Sequence, residues 1–219
     1  MKLVHALYEP GGPGPHPTII AFHGWGANAL DLLGVAPYLA GGNFLTICPQ
    51  GPLTVPLGPT NGYGWFPLRP GSPPDDAAVG SAAAEATGFV DDACGRYPVD
   101  PRKLVVLGFS QGGIIAMGVA LRTPNKFAAA VGISTWFPEG LKQLATAGDL
   151  TRLPVLIQHG RSDSLIEIGR ARDSVERLRS MRVDLRYREY DCGHEITAQG
   201  LRDISEFLNE KVLTPVVTG

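Results

Sequence analysis

The sequence is poor in cysteine, and its three thiols, Cys48, Cys94 and Cys192, form no close pair. An odd number without CxxC spacing excludes a disulfide framework and supplies no zinc-ligand set. Reduced thiols in a cytoplasmic protein are the expectation. Charge of one sign is also lacking: 19 basic against 21 acidic residues give a net charge of −2, which excludes a global drive toward nucleic acid or an anionic membrane. The arginines at 170, 172, 177, 179, 182, 186 and 188 are broken up by Asp173, Glu176, Asp184 and Glu189. That pattern predicts a solvated helix face and strand edge, not a nucleic-acid patch. No apolar run approaches the ~18 residues of a membrane-spanning helix. The opening residues, Met-Lys-Leu-Val-His-Ala-Leu-Tyr-Glu-Pro, lack the apolar stretch of a signal peptide. What the chain does have is apolar content: 44% of 219 residues, enough for one domain over residues 1–219 with a full core.

Apolar runs and amphipathic segments alternate, which predicts an α/β fold with a mainly parallel sheet covered on both faces. Strands are expected over residues 3–8, 18–22, 44–48, 104–107, 128–133, 154–158 and 185–190. A short helix is expected over 30–39. Residues 49–74, rich in proline and glycine, carry neither period and predict a long loop. Its Tyr63, Trp65 and Phe66 either line a substrate pocket or pin the loop to the core. Ser72-Pro73-Pro74-Asp75 reads as a helix start, followed by Val79, Ala83, Ala86, Val90 and Ala93 at helical spacing. Helix faces are also expected at Ile168, Ala171, Val175 and Leu178, and at Leu201, Ile204, Leu208 and Val212.

The most informative segment is Gly108-Phe109-Ser110-Gln111-Gly112, placed between an apolar strand and an apolar helix. This is the G-x-S-x-G elbow in its expected context: the glycines permit a sharp turn that lifts the serine hydroxyl above the sheet end. It also aims the Gln111 amide at the same point. Serine is a poor nucleophile at neutral pH and needs a histidine base held by an acid. Along such chains the order is serine, acid, histidine. Asp163, in the loop after the strand expected over 154–158, and His194, after the next strand, satisfy that order. Asp163 could instead cap the following segment, and Asp191 is a rival acid; His159 reads as a packed, hydrogen-bonded residue. An oxyanion hole needs two backbone N–H donors. Gln111 supplies one, and Trp25 in His23-Gly24-Trp25-Gly26 is the choice for the second.

Phe22-His23-Gly24-Trp25-Gly26, Gly108-Phe109-Ser110-Gln111-Gly112-Gly113, His159-Gly160-Arg161-Ser162-Asp163 and Gly193-His194-Glu195 occur in the order, and over nearly the whole length, that resembles the phospholipase/carboxylesterase family of small α/β-hydrolases. The resemblance implies an α/β-hydrolase fold without a separate cap domain, the triad Ser110, Asp163 and His194, and oxyanion donors at Trp25 and Gln111. It implies no metal and no cofactor, a small-molecule ester substrate, and a homodimer as in many relatives. Trp25 stands where the family usually has leucine, so the indole reshapes the acyl pocket. With Tyr63, Trp65 and Phe66 as candidate substrate contacts, the reading is a serine carboxylesterase for small to medium acyl chains. A thioesterase or lysophospholipase with the same triad is the alternative. A hydrolase-fold sensor with little turnover is the reading from another class.

Overall fold

The computed structural model describes residues 2–69, 71–145 and 149–214. Nine strands and four α-helices follow one another as β1 (His5–Tyr8), β2 (His16–Phe22), β3 (Leu45–Pro49), β4 (Leu53–Leu57), β5 (Thr60–Gly64), α1 (Asp76–Arg96), β6 (Val99–Phe109), α2 (Gln111–Arg122), β7 (Ala129–Ile133), β8 (Pro154–Gly160), α3 (Ile168–Ser180), β9 (Asp184–Tyr190) and α4 (Ala198–Leu208). Seven strands form the main sheet in the order β1-β3-β2-β6-β7-β8-β9. β1 pairs antiparallel with β3, and every other neighbour is parallel. This is the mainly parallel sheet that the alternation of patterns predicts, in the α/β-hydrolase architecture that the resemblance implies.

Strand side chains alternate between two cores. Ile20, Phe22, Leu104 and Val106 point to the face covered by α1, α2 and α3. Ile19, Ala21, Val105 and Leu107 point to the face covered by α4, through Ile204, Phe207 and Leu208. A strand with both faces covered must be apolar at consecutive positions, which is why β2, β6 and β7 read as unbroken apolar runs. Helix α1 starts where Asp75 accepts hydrogen bonds from the amides of Ala77 and Ala78 (2.8 and 3.3 Å), a cap worth ~1 kcal/mol. All five of its expected core positions are buried. Among the described residues, no helix is long and apolar enough to cross a membrane.

Two expectations are corrected. Residues 30–39 form only a 3-10 segment, Leu32–Tyr38, because Pro37 lacks the N–H that an α-helix would use. Residues 49–74 are not a loop throughout: β4 and β5 pair antiparallel as a separate hairpin, with Leu57 opposite Thr60. The two-residue turn between them has Gly58 at φ +66°, the sign that primed hairpin turns require at their first central position. Prolines at 52, 56 and 59 mask the strand pattern; among the described residues β4 pairs with β5 alone, and such an edge strand tolerates Pro56.

Candidate active site

Strand β6 ends at Phe109, α2 begins at Gln111, and Ser110 makes the whole turn with φ +54° and ψ −121°. A non-glycine residue held there stores strain of ~1–3 kcal/mol. Three hydrogen bonds fix it. The Ser110 amide donates to the Ile133 carbonyl (2.9 Å), and the Ser110 carbonyl accepts from the Gly113 amide (3.0 Å) and from Thr135 Oγ1 (2.8 Å). Glycine is required on both sides. A Cβ on Gly108 would lie 2.1 Å from the Gly112 carbonyl oxygen, and one on Gly112 would lie 2.0 Å from that of Phe22. Strand, turn and helix therefore meet backbone to backbone, which brings the Ser110 turn against the end of β2.

The acid and the base come from the loops after β8 and β9. Asp163 is 5% exposed. Its Oδ1 accepts from the Leu165 and Ile166 amides (2.9 and 2.8 Å), and its Oδ2 accepts from His194 Nδ1 at 2.8 Å. Asp163 thus caps its own loop and binds the histidine at once. Burial pushes the carboxyl's pKa up, but the hydrogen bonds from Ile166, His194 and Leu165 outweigh it and hold the group below its ordinary value. With Nδ1–H committed to Asp163, Nε2 is the basic nitrogen of His194. The two loops are stitched together: Arg161 N–H donates to the Tyr190 carbonyl (2.8 Å) and Ser162 N–H to the Cys192 carbonyl (3.0 Å). Asp191, the rival acid, is exposed and pairs with Arg161 at 2.6 Å. His159 is packed, its Nε2 2.7 Å from the Ile166 carbonyl and 3.4 Å from Asp163 Oδ2.

His194 and Ser110 line one cavity of about 620 Å³ at the carboxyl edge of the sheet, the edge where open α/β sheets bind ligands. The His194 ring packs against Phe109, the residue before Ser110, with centroids 4.9 Å apart. Trp25, 38% exposed, lines the same cavity. Among the described residues, neither the Trp25 amide nor the Gln111 amide has a hydrogen-bond acceptor, as two donors reserved for a ligand oxygen require.

The remaining aromatics are placed elsewhere. Tyr63, Trp65 and Phe66 do not line the cavity. Trp65 and Phe66 are 3% and 1% exposed, and Trp65 stacks edge-on to Phe22 at 5.3 Å. Of the two roles open to them in sequence, these two pin the segment to the core, because bonds to His23 and Gln111 turn them inward. The cavity's apolar wall is instead Leu68, Trp136, Leu165 and Ile166, which the sequence reading missed. Position offered a signal: Trp136 follows β7 and Leu165 follows β8 on the edge that carries Ser110.

Comparison with known proteins bears on the family and the fold. The sequence profile of the family described as Phospholipase/Carboxylesterase matches residues 6–212. "Acyl-protein thioesterase 1" of Cryptococcus neoformans var. neoformans is 27% identical over 194 residues, covering 84% of this chain and 77% of that protein. "Acyl-protein thioesterase 1" of Gibberella zeae is 27% identical over 116 residues, 51% of this chain; the match spans about half (49%) of that relative's length. The crystal structure of esterase PE8 superposes with a TM-score of 0.83 at 23% identity, covering 96% of this chain and 100% of that one. The carboxylesterase of Bacillus cereus gives 0.81 at 20% identity, covering 96% and 95%. At these identities, the structures speak for the fold.

Proposed function

This chain belongs to the phospholipase/carboxylesterase family, and we propose that it is a serine carboxylesterase acting through an acyl-enzyme on esters of small to medium acyl chain. The observation that carries the assignment is the 2.8 Å bond from His194 Nδ1 to Asp163 Oδ2, with His194 and Ser110 on one cavity. His194 Nε2 takes the Ser110 proton as Oγ attacks the ester carbonyl, and the Trp25 and Gln111 amides hold the oxyanion that forms. Collapse of the tetrahedral species breaks the ester C–O bond, and the proton on Nε2 passes to the leaving alcohol. Water then repeats the sequence on the acyl-enzyme, with His194 as base. Asp163 fixes the tautomer throughout. Trp25 and Trp136 place two bulky indoles on the cavity wall, which supports the shorter acyl groups.

Thioester hydrolysis is the second reading, favoured by the name of the Cryptococcus relative; the machinery is identical and only the leaving group differs. The protein works as one domain without a cap, in the reducing cytoplasm that its free thiols suit. It needs neither cofactor nor nucleic acid, and we carry the homodimer over from the family. Rates on p-nitrophenyl esters and acyl thioesters of increasing chain length test the assignment, with Ser110→Ala as control. Turnover by Ser110→Ala at the parent rate overturns it, and a rate maximum at long chains overturns the size preference. A fluorophosphonate adduct on Ser110 excludes the sensor reading.

A further inference from the structure

The two candidate oxyanion donors lie far apart in sequence, yet both are tied to one buried residue. Trp65 Nε1–H donates to the His23 carbonyl at 2.9 Å. The backbone N–H of Trp65 donates to Gln111 Oε1 at 2.9 Å, and Gln111 Nε2 returns a bond to the Phe66 carbonyl at 2.7 Å. Gln111 is fully buried; its side chain is spent on this bracket, while its backbone amide stays unpaired at the start of α2. His23 continues the chain of contacts. Its Nδ1 lies 2.7 Å from the Gly24 carbonyl and its Nε2 2.9 Å from the Gly51 amide. One neutral tautomer satisfies both bonds, Nδ1–H donating and Nε2 accepting. Burial lowers the His23 pKa against the opposing pull of the Gly24 carbonyl and Asp31, which keeps that neutral form. The Gly24 carbonyl and the Trp25 N–H belong to one planar trans peptide, so holding the oxygen toward His23 points the N–H the other way. The end of β5 closes the frame: the Gly26 amide donates to the Tyr63 carbonyl and the Tyr63 amide to the Ala27 carbonyl, both at 2.8 Å.

We propose that Trp65 is a positioning residue for the oxyanion hole: through His23 it sets the Trp25 peptide, and through the Gln111 side chain it sets the Gln111 amide. The proposal rests on the reading in which those two amides hold the oxyanion. It gives the segment Tyr63–Phe66 a role in transition-state binding without contact with substrate.

The test removes the indole N–H. Trp65→Phe does so with a smaller ring, and 3-benzothienylalanine at position 65 does so with the ring shape kept, so loss of folding in the first leaves the second to decide. Each variant is assayed for kcat, KM, melting temperature and inhibition by an aryl trifluoromethyl ketone. That ketone adds Ser110 Oγ to its carbonyl carbon while the serine proton passes to His194 and the ketone oxygen takes up the negative charge. The expected result is a kcat lower by about tenfold or more, part of the 10²–10³-fold that outright loss of a donor costs. KM should stay within about threefold, because the interaction is made only in the transition state. Ketone affinity should fall by the same factor as kcat/KM. A folded variant that retains full kcat and ketone affinity overturns the proposal, and so does one that loses melting temperature alone. Ser110→Ala separates the two levels: if it still hydrolyses esters, the underlying reading fails; if it is inert while the position-65 variants are fully active, only the positioning role fails.

Discussion

Replacing Ser110 by glycine should give a dead protein that is more stable than the alanine variant. Both substitutions remove the nucleophile, so they differ only in the Cβ. Ser110 is held at φ +54° and ψ −121° by bonds to Ile133, Gly113 and Thr135 that do not involve its hydroxyl. Alanine keeps the steric clash of that backbone region, which costs ~1–3 kcal/mol. Glycine relieves it but gives back ~0.4–1 kcal/mol through the greater freedom of its unfolded chain. The net gain is then ~0.5–2 kcal/mol, and at ~2–4 °C per kcal/mol for a chain of this size the difference in melting temperature is about 1–8 °C. Calorimetric melts of Ser110→Gly and Ser110→Ala at neutral pH measure it directly, with p-nitrophenyl ester hydrolysis as the check that both are inert. A glycine variant melting at or below the alanine variant refutes the view that this turn is strained by the need to present a hydroxyl.

Asp163→Asn should lower kcat on the order of 10⁴-fold with little change in fold, since an amide in place of the Oδ2 acceptor favours the wrong histidine tautomer; kinetics and circular dichroism of the purified variant decide it. The hydrogen bonds from Arg172 hold the Glu189 carboxyl at about 2, below its ordinary 4.5. A depressed acid stabilises the fold above its unfolded pKa and loses that contribution as pH falls, so the acid limb of the stability curve should be shallower between about pH 4.5 and 2 in Glu189→Gln; an unchanged limb counts against the Arg172–Glu189 clamp. Gly64→Ala should cut kcat about tenfold, because a Cβ there would lie 2.5 Å from the Trp25 ring and move a donor whose loss costs 10²–10³-fold; unaltered kinetics would show that the ring yields without its backbone. Burial pushes the Cys48 thiol up to about 12, so mass spectrometry after thiol alkylation at pH 8 should find Cys48 unmodified until denaturant is added.

The sheet was legible because burial on two faces writes itself as apolar runs, as in Ile19–Phe22 and Leu104–Leu107, and because the order of Ser110, Asp163 and His194 fixes which loops must meet. The hairpin was not legible. Pro56 and Pro59 read as breakers and hide the antiparallel pairing of Leu53–Leu57 with Thr60–Gly64. The same gap hid the role of Trp65: an aromatic residue in a glycine-rich segment suits a pocket wall as well as a core. Only the direction of its indole, toward the His23 carbonyl, separates the two. The pocket wall itself, Leu68, Trp136 and Leu165, comes from three distant loops with no shared sequence pattern.

His194 hangs from β9, which among the described residues has one neighbour, β8, and stands last in the sheet order. The other groups rest on interior strands: Ser110 on β6, Trp25 after β2, Asp163 after β8. A marginal strand opens at lower free energy than the molecule as a whole. Detachment of β9 would carry away the imidazole and the two backbone bonds joining Tyr190 and Cys192 to the acid loop, while the serine and its donors stayed in place. Mild heat or denaturant should therefore disarm the protein before it melts, and the lost activity should return at once on cooling.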